Sequence, residues 1–164
     1  VEEGAQGGAA GVARLWSTVR LAALKGEADA ATRAMIRRRE RQTGVLREPP
    51  AVLAALTWAH PEDRPELHVK LPSTPEDVEW ERAEVQAAAH GMEAQAVPQR
   101  AEGEALRFEV RRVEEDALRD LEATLTVIVG LGSEGERVHR VPLVLDRETR
   151  KATFVLEGGE LRRE

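Results

Sequence analysis

Apolar side chains recur at every second position in a series of short runs that begins after residue 50. In one run Leu106, Phe108 and Val110 alternate with charged residues, and the longest run covers residues 121–131. This alternation is typical of β-strands that bury one face and expose the other. Turn-forming residues separate the runs, and no helical stretch connects them. The pattern predicts a mainly β protein with an immunoglobulin-like antiparallel sandwich over residues 49–158.

The individual runs predict seven or eight strands, which we place at residues 51–57, 67–71, 78–85, 106–111, 121–131, 141–145 and 151–156. The third of these needs a bulge to continue as far as Val85. The glycine-rich residues 132–136 predict the tip of a hairpin between two long strands. Pro142 lacks the N–H that an inner strand uses, so it predicts an edge strand or a bulge. Residues 159–164 are expected to form a tail.

Residues 1–48 follow a helical period instead, and we expect a lead-in of two helices. A stripe of apolar residues predicts a first helix that ends at Gly26, and its members are Val12, Leu15, Trp16, Val19 and Ala23. Residues 27–43 predict a second helix, ended by Gly44, with a thin apolar face of Ala31, Ala34 and Met35. Two short helices bury too little apolar area to be stable alone, so we expect them to dock on the rest of the chain or on a preceding domain.

The charge of the chain divides at the same place as its periodicity. Before residue 51 there are nine basic and six acidic residues, a net charge of +3, and after it fifteen and twenty-four, a net charge of −9. We place the boundary at residues 47–50, which include Pro49 and Pro50. Opposite charges on the two parts favour docking of the helices on the sandwich.

The composition excludes several classes of protein. The 164 residues include no Cys, which excludes a disulfide framework, a zinc–thiolate site and a cysteine nucleophile. No apolar run reaches the roughly 20 residues that span a bilayer, so no transmembrane segment is predicted. The bias toward Ala, Arg, Glu and Leu indicates a GC-rich bacterial genome. Because the chain begins at Val1 rather than Met, we expect it to be part of a longer protein.

Two segments resemble one family, the bacterial YfaP-like proteins. The segment LAALTWAHPEDRPELHVKLP, which begins at Leu53, is similar to the opening of that family's C-terminal β-sandwich domain, where an apolar strand ends in Thr-Trp before an acidic turn. The segment ATLTVIVGLGSEGERVHRVPLVLDRETRKATFVL, which ends at Leu156, resembles the family's last hairpin. The resemblance covers roughly residues 51–158. It implies a bacterial protein that is secreted or located in the periplasm or cell envelope.

The chain departs from the family's pattern at two points. A turn that carries several Asp residues in the family is here residues 60–66, with Asp63 alone, which weakens a calcium site built on Asp oxygens. The family's Tyr-Tyr-Gly motif is absent, since the chain has no Tyr. A third segment, ARLWSTVRLAAL, which ends at Leu24, resembles the last helix of bacterial von Willebrand A-type domains. That resemblance implies such a domain ahead of this chain.

One cluster combines the residue types that bind metals. Two imidazoles and three carboxylates lie within nine residues: His60, Glu62, Asp63, Glu66 and His68. Mixtures of imidazole and carboxylate suit zinc and other divalent cations. Our candidate metal ligands are His60, Glu62, Asp63 and His68. The alternative is a solvated acidic turn, with His68 on the outer face of a strand.

A basic run on the second helix has two interpretations. It consists of Arg33, Arg37, Arg38, Arg39 and Arg41. Such a run suits nucleic acid or anionic lipid. The net charge of −6 and the lack of interleaved aromatic residues favour a solvated helix face, or one paired with the acidic sandwich. We therefore expect no nucleic-acid partner.

Catalytic and carbohydrate-binding patterns are weak. The only serines are Ser17, Ser73 and Ser133, none of them in a G-x-S-x-G motif. Ser133 lies in the predicted hairpin turn with His139 nearby in sequence, which is common without catalysis. Trp16, Trp58 and Trp80 form either a carbohydrate platform or part of the packing between helix and sheet.

The sequence therefore predicts a protein that is not an enzyme and carries no cofactor. We expect an interaction or accessory domain of a bacterial envelope or secreted protein, which binds another protein through its surface or an edge strand. A carbohydrate- or metal-binding module is the alternative. A hydrolase that uses Ser133 and His139 is a third hypothesis.

Overall fold

The computed structural model describes residues 9–43, 49–60, 62–100, 103–113 and 119–164. The described elements begin with two helices, α1 (Ala9–Glu27) and α2 (Ala30–Thr43). The strands are β1 (Val52–Trp58), β2 (Pro65–Lys70), β3 (Glu81–Arg82), β4 (Val85–Ala87), β5 (Met92–Val97), β6 (Leu106–Arg112), β7 (Leu121–Val129), β8 (Arg137–Leu145), β9 (Lys151–Glu157) and β10 (Glu160–Arg163). Neither described helix is long and apolar enough to cross a membrane.

The strands form two antiparallel sheets of five strands each. The first sheet has the order β4-β5-β1-β7-β8, and the second has the order β10-β9-β6-β2-β3. One apolar cluster lies between them and includes Leu56 and Leu125 of the first sheet and Phe108 and Phe154 of the second. The predicted mainly β fold is thus confirmed as a two-layer sandwich. Its core consists of Val, Leu and Ala around two Phe rings and Trp58, since the alternating residues of both sheets face inward.

Helix α1 packs on the outer face of the first sheet. Val19 belongs to an apolar cluster with Met92, and Ala22 to another with Leu53 and Ile128. The central strand β1 is therefore covered on both faces, by the second sheet and by α1. This explains why its sequence is apolar almost throughout rather than alternating. The expected docking of the first helix on the sandwich is observed, and α1 extends one residue beyond the predicted end at Gly26.

Helix α2 presents the opposite face from the one predicted. Its predicted apolar residues Ala31, Ala34 and Met35 are all exposed, Met35 to 63%, whereas Ile36 and Glu40 are half-buried. The helix begins at Ala30 rather than residue 27. The predicted C-terminal Gly44 and the start of the predicted 47–50 boundary lie outside the described residues.

A buried lysine explains this orientation. Lys25 of α1 is 3% exposed, and its Nζ lies 2.8 Å from a carboxylate oxygen of Glu40 on α2 and 2.8 Å from one of Glu136 in the β7–β8 turn. Because Glu40 is held toward Lys25, the residues on the opposite side of α2 face solvent.

The region between β2 and β5 differs most from the prediction. Residues 78–85 do not form one bulged strand, since β3 belongs to the second sheet and β4 to the first. The chain changes sheets at the buried Ala83, whose N–H donates to the Leu67 carbonyl at 2.8 Å. β5 has no counterpart in the prediction, and β10 occupies most of the predicted tail at residues 159–164. The β7–β8 hairpin and the position of Pro142 on an edge strand agree with the prediction.

The turn into β5 is packed tightly on the end of β1. Gly91 has a φ of 64°, and a Cβ atom there would lie 2.4 Å from the Trp58 carbonyl oxygen. The Trp58 N–H donates to the Gly91 carbonyl at 3.0 Å. Glycine is required at this position both by the left-handed backbone and by the close approach.

Candidate functional site

A chain of hydrogen-bonded charges links the outer face of the second sheet to the first sheet. On β2, Glu66 Oε1 lies 2.9 Å from Arg82 Nη1, and Glu66 Oε2 lies 2.8 Å from His68 Nε2. Arg82 also donates to Glu93 Oε1. Glu93 is only 1% exposed although it is a carboxylate on β5. These four side chains therefore act as one connected unit.

Both ring nitrogens of His68 face oxygen acceptors. Nδ1 lies 3.2 Å from the Trp80 carbonyl oxygen, and Nε2 contacts Glu66. The side chain is 8% exposed. His68 therefore attaches the segment before β3 to the face of β2. Both nitrogens are thus directed at protein oxygens rather than at the other candidate metal ligands.

The other candidate metal ligands do not converge on His68. His60 is exposed, and the Glu62 side chain is 91% exposed. Asp63 is buried, with Oδ1 3.1 Å from Arg119 Nη2 and with Oδ2 lacking a hydrogen-bond partner. Within the described ranges, no three carboxylate or imidazole side chains are grouped as a metal site requires. The structure brings Glu66 and His68 together, and the metal site stays a prediction that titration with zinc and calcium tests.

Arg82 and Glu93 are the residues of this network that the sequence did not predict, and Glu93 is the buried one of the two. Its Oε2 accepts a hydrogen bond of 2.8 Å from the Leu67 backbone N–H, on the opposite sheet. Met92 and Ala94 alternate with Glu93 and Gln95, so a signal for a strand was present. The buried carboxylate on the polar side of that alternation could not be anticipated, because buried glutamates are rare unless paired.

A second group of charges surrounds Glu109 on the same outer face. Glu109 stands opposite His68 in the β2–β6 register, and its side chain is 8% exposed. It binds Arg111 Nε and lies 3.4 Å from Lys151 Nζ. Burial raises the pKa of Glu109, but the hydrogen bonds and charges of Arg111 and Lys151 outweigh burial and lower the pKa below its ordinary value.

This lowered pKa predicts an acid-sensitive contribution to stability. A carboxyl whose pKa is lower in the folded state stabilises the fold above its unfolded pKa, near 4.5, and loses that contribution as the pH falls through the folded value. We therefore expect Glu109→Gln to lower the free energy of unfolding at pH 7, and we expect this difference to shrink as the pH falls below about 4.5. Urea unfolding of both proteins across this range measures the difference.

A matched control separates this effect from general acid denaturation. The pKa values of Asp29 and Asp146 are also lowered, each by backbone hydrogen bonds in its own turn, so the wild type loses stability in acid for several reasons. Glu122→Gln removes an exposed carboxylate from β7 instead. Equal pH profiles for the Glu109 and Glu122 variants would contradict the assignment.

Two of the three serines donate hydrogen bonds to the backbone. Ser133 Oγ donates to the Gly130 carbonyl at 2.6 Å, and Ser17 Oγ donates to the Ala13 carbonyl at 2.9 Å. His139 Nε2 lies 2.8 Å from the Gly159 carbonyl oxygen, which joins β8 to the β9–β10 turn. No hydrogen bond joins Ser133 to His139, both of which are described, so the geometry provides no activated nucleophile there.

Trp16 and Trp58 line one groove, and Trp80 is not part of its lining. Trp58 is buried in the core cluster, whereas Trp16 and Trp80 are half-buried. Trp16 lies under Arg20, whose guanidinium carbon is 5.6 Å from the ring centre, and its indole N–H donates to the His90 carbonyl. The predicted platform is therefore not assembled from all three rings, and carbohydrate binding stays a prediction.

The first sheet has an open edge beside a groove. The edge strand β8 is nine residues long and pairs only with β7 among the described strands. A groove of about 760 Å³ lies next to it and is lined by Trp16 of α1 and by Thr57, Thr124, Pro142 and Val144. Thr57, Thr124 and Pro142 are register neighbours on adjacent strands. Val144 is 53% exposed. The groove therefore presents apolar side chains and threonine hydroxyl groups side by side.

No protein-family model, no curated protein and no solved structure matches the chain. The YfaP-like and von Willebrand A-type resemblances therefore stay expectations. The fold and the surfaces described above are the basis for assigning a function.

Proposed function

We propose that the chain is a non-enzymatic interaction domain that binds another protein through the side of the first sheet where β8 forms the open edge. The observation that carries the proposal is the groove between Trp16 and β8, with the exposed Val144 at its side. Exposed apolar side chains beside an aromatic ring are typical of protein-binding surfaces. Several titratable groups of the second sheet support a non-catalytic role, because Glu66, Arg82 and Glu109 are engaged in ion pairs.

Contact through the face of the sheet is favoured over addition of a whole strand. Pro142 has no N–H to donate, and proline in a strand is tolerated where its nitrogen faces the open edge. A partner strand would therefore lose a hydrogen bond in the middle of β8. Such a proline also protects an edge from indiscriminate pairing. We propose that the partner lies across the groove and contacts Pro142 and Val144 by their side chains.

We also propose that the sandwich is immunoglobulin-like and that the protein is secreted or located in the bacterial cell envelope. Neighbouring strands come from distant parts of the chain, as when β1 lies between β5 and β7, and such connections are shared by immunoglobulin-like sandwiches. The YfaP-like ends support a bacterial envelope or secreted protein. Fractionation of cells that express the full-length gene tests the location.

Photo-crosslinking tests the binding surface. We would place a benzophenone amino acid at Val144 and, as a control, at Val113, which is 48% exposed and lies at the end of β6 in the other sheet. Cell-envelope extract supplies the partner. We expect one specific adduct from position 144 and none from position 113. Identical adducts from both positions, or none from either, would contradict the surface, and turnover that is lost in Ser133→Ala would contradict the non-enzymatic role.

A further inference from the structure

Helix α2 exposes a stripe that combines apolar and basic side chains. Ala31, Ala34, Met35 and Arg38 are spaced i, i+3, i+4 and i+7, and all four are exposed. Amphipathic helices usually bury such a stripe. Here the stripe is left uncovered within the described chain, because the ion pair of Lys25 with Glu40 turns the other side of the helix inward.

The outward side of α2 carries more basic than acidic side chains among the described residues. Glu40 is the only acidic residue within α2, and its side chain is 13% exposed and bound to Lys25. Arg33 and Arg38 are exposed, and Arg37 is half-buried. The outward side of α2 is therefore basic although the chain as a whole carries a net charge of −6.

A surface of complementary character lies on the segment that leads into β3. Residues 75–81 carry four exposed carboxylates, and these are Glu76, Asp77, Glu79 and Glu81. Val78 in their midst is 46% exposed. Glu79 contacts Arg111 only at 3.5 Å, with its side chain 82% exposed. This acidic segment thus offers what the stripe on α2 lacks, namely negative charge around an exposed apolar side chain.

The two surfaces lie on opposite sides of the molecule. The acidic segment borders β3, the last strand of the second sheet, whereas α2 is attached through Lys25 to the β7–β8 turn of the first sheet. Among the described residues, no hydrogen bond or ion pair joins them. Within the described part of the chain, one molecule therefore does not pair its own basic stripe with its own acidic segment.

We propose that copies of this chain associate head to tail, with the α2 stripe of one copy bound to the acidic segment 75–81 of the next. Opposite charges surround an apolar contact between Met35 and Val78, the arrangement that complementary interfaces use. The contact is heterologous, since it joins two different surfaces, so every assembly keeps one free surface of each kind at its two ends and short open chains form. The net negative charge opposes association at long range, so the contact is weak and depends on salt.

Sedimentation equilibrium at two salt concentrations tests the head-to-tail association. Raising the salt from about 0.1 M to about 1 M shortens the Debye length from about 10 Å to about 3 Å. We expect an average mass that rises above 18.1 kDa with protein concentration at the lower salt and returns to that value at the higher salt. A mass of one chain at every protein concentration in low salt would overturn this proposal. That result would not bear on the proposed binding of a partner at the β8 surface.

Charge reversal identifies the surfaces. One variant combines Arg33→Glu with Arg38→Glu, and a second combines Glu76→Lys with Asp77→Lys. We expect each variant to be monomeric when alone. An equimolar mixture should associate again, because the first variant keeps the acidic segment and the second keeps the basic stripe. The control, Arg14→Glu with Arg147→Glu, matches the first variant in net charge and leaves both surfaces intact, so it should associate more than that variant. Association of either reversed protein alone, or failure of the mixture, overturns the proposal. Circular dichroism confirms that each variant is folded.

Discussion

Replacing Lys25 by methionine is expected to lower the free energy of unfolding by about 3 kcal/mol. The side chain of Lys25 is 3% exposed and lies between the carboxylates of Glu40 and Glu136, both at 2.8 Å. Methionine fills a similar volume but removes the cation, so two carboxylates face each other in a poorly solvated place. The loss of an ionic partner in such a site costs far more than the loss of a surface ion pair.

The Lys25 variant is also expected to release α2 before the sandwich unfolds. Lys25 is the described ion-pair link between α1 and α2, and it is shared with the β7–β8 turn. Urea unfolding followed both by far-ultraviolet circular dichroism and by Trp fluorescence should therefore give two transitions that no longer coincide. The wild type should give transitions that lie closer together.

Two further variants separate the charge effect from packing. Lys70→Met removes a half-buried lysine from β2 and should change stability by less than about 0.5 kcal/mol. Adding Glu40→Gln and Glu136→Gln to the Lys25 variant removes the unpaired charges, and we expect most of the stability to return. Equal effects of the Lys25 and Lys70 substitutions would show that the buried ion pairs contribute little.

Periodicity alone identified strands whose two faces differ sharply. In β6, Leu106, Phe108 and Val110 are buried in the core as their alternation predicts. β5 shows the limit of this reasoning, because alternation reports which residues share a face but not which face is buried. There Met92 packs under α1 while Glu93 reaches the second sheet.

The orientation of α2 could not be derived from local pattern either. Its stripe of Ala31, Ala34 and Met35 was visible in the sequence and suggested the buried side. What decides the orientation is the ion pair of Lys25 with Glu40 and Glu136, which are 15 and 111 residues away in sequence. A contact of this kind depends on the completed fold, as does the division of residues 78–85 between two sheets.

The candidate metal ligands illustrate the same distinction. Glu66 and His68 share one face of β2 because that strand begins at Pro65, whereas the sequence placed Glu66 in the preceding turn. Asp63 instead turns inward to Arg119, beyond the reach of spacing arguments. Closeness in sequence therefore predicted neither the observed pair nor its geometry.

Glu93→Ala is expected to lower the free energy of unfolding by about 3 kcal/mol, because it leaves a buried backbone donor without a partner and opens a small cavity. β3 is only two residues long, and Glu93 Oε2 accepts the Leu67 N–H at 2.8 Å just beyond the β2–β3 pairs. The carboxylate thus replaces a missing strand partner. Arg82 keeps its contact with Glu66 at 2.9 Å, so the cost arises mainly at Leu67.

Hydrogen exchange at the Leu67 amide distinguishes this account from a loss of packing alone. Glu93→Gln keeps an oxygen that can accept the Leu67 N–H, so we expect that amide to stay protected and the stability to fall by only about 1 kcal/mol. In Glu93→Ala the same amide should exchange much faster, while amides in the middle of β7 stay protected. Glu122→Ala, at an exposed position of β7, is the control and should change neither quantity. Unchanged protection of Leu67 in Glu93→Ala would mean that the carboxylate does not hold the two sheets together at this point.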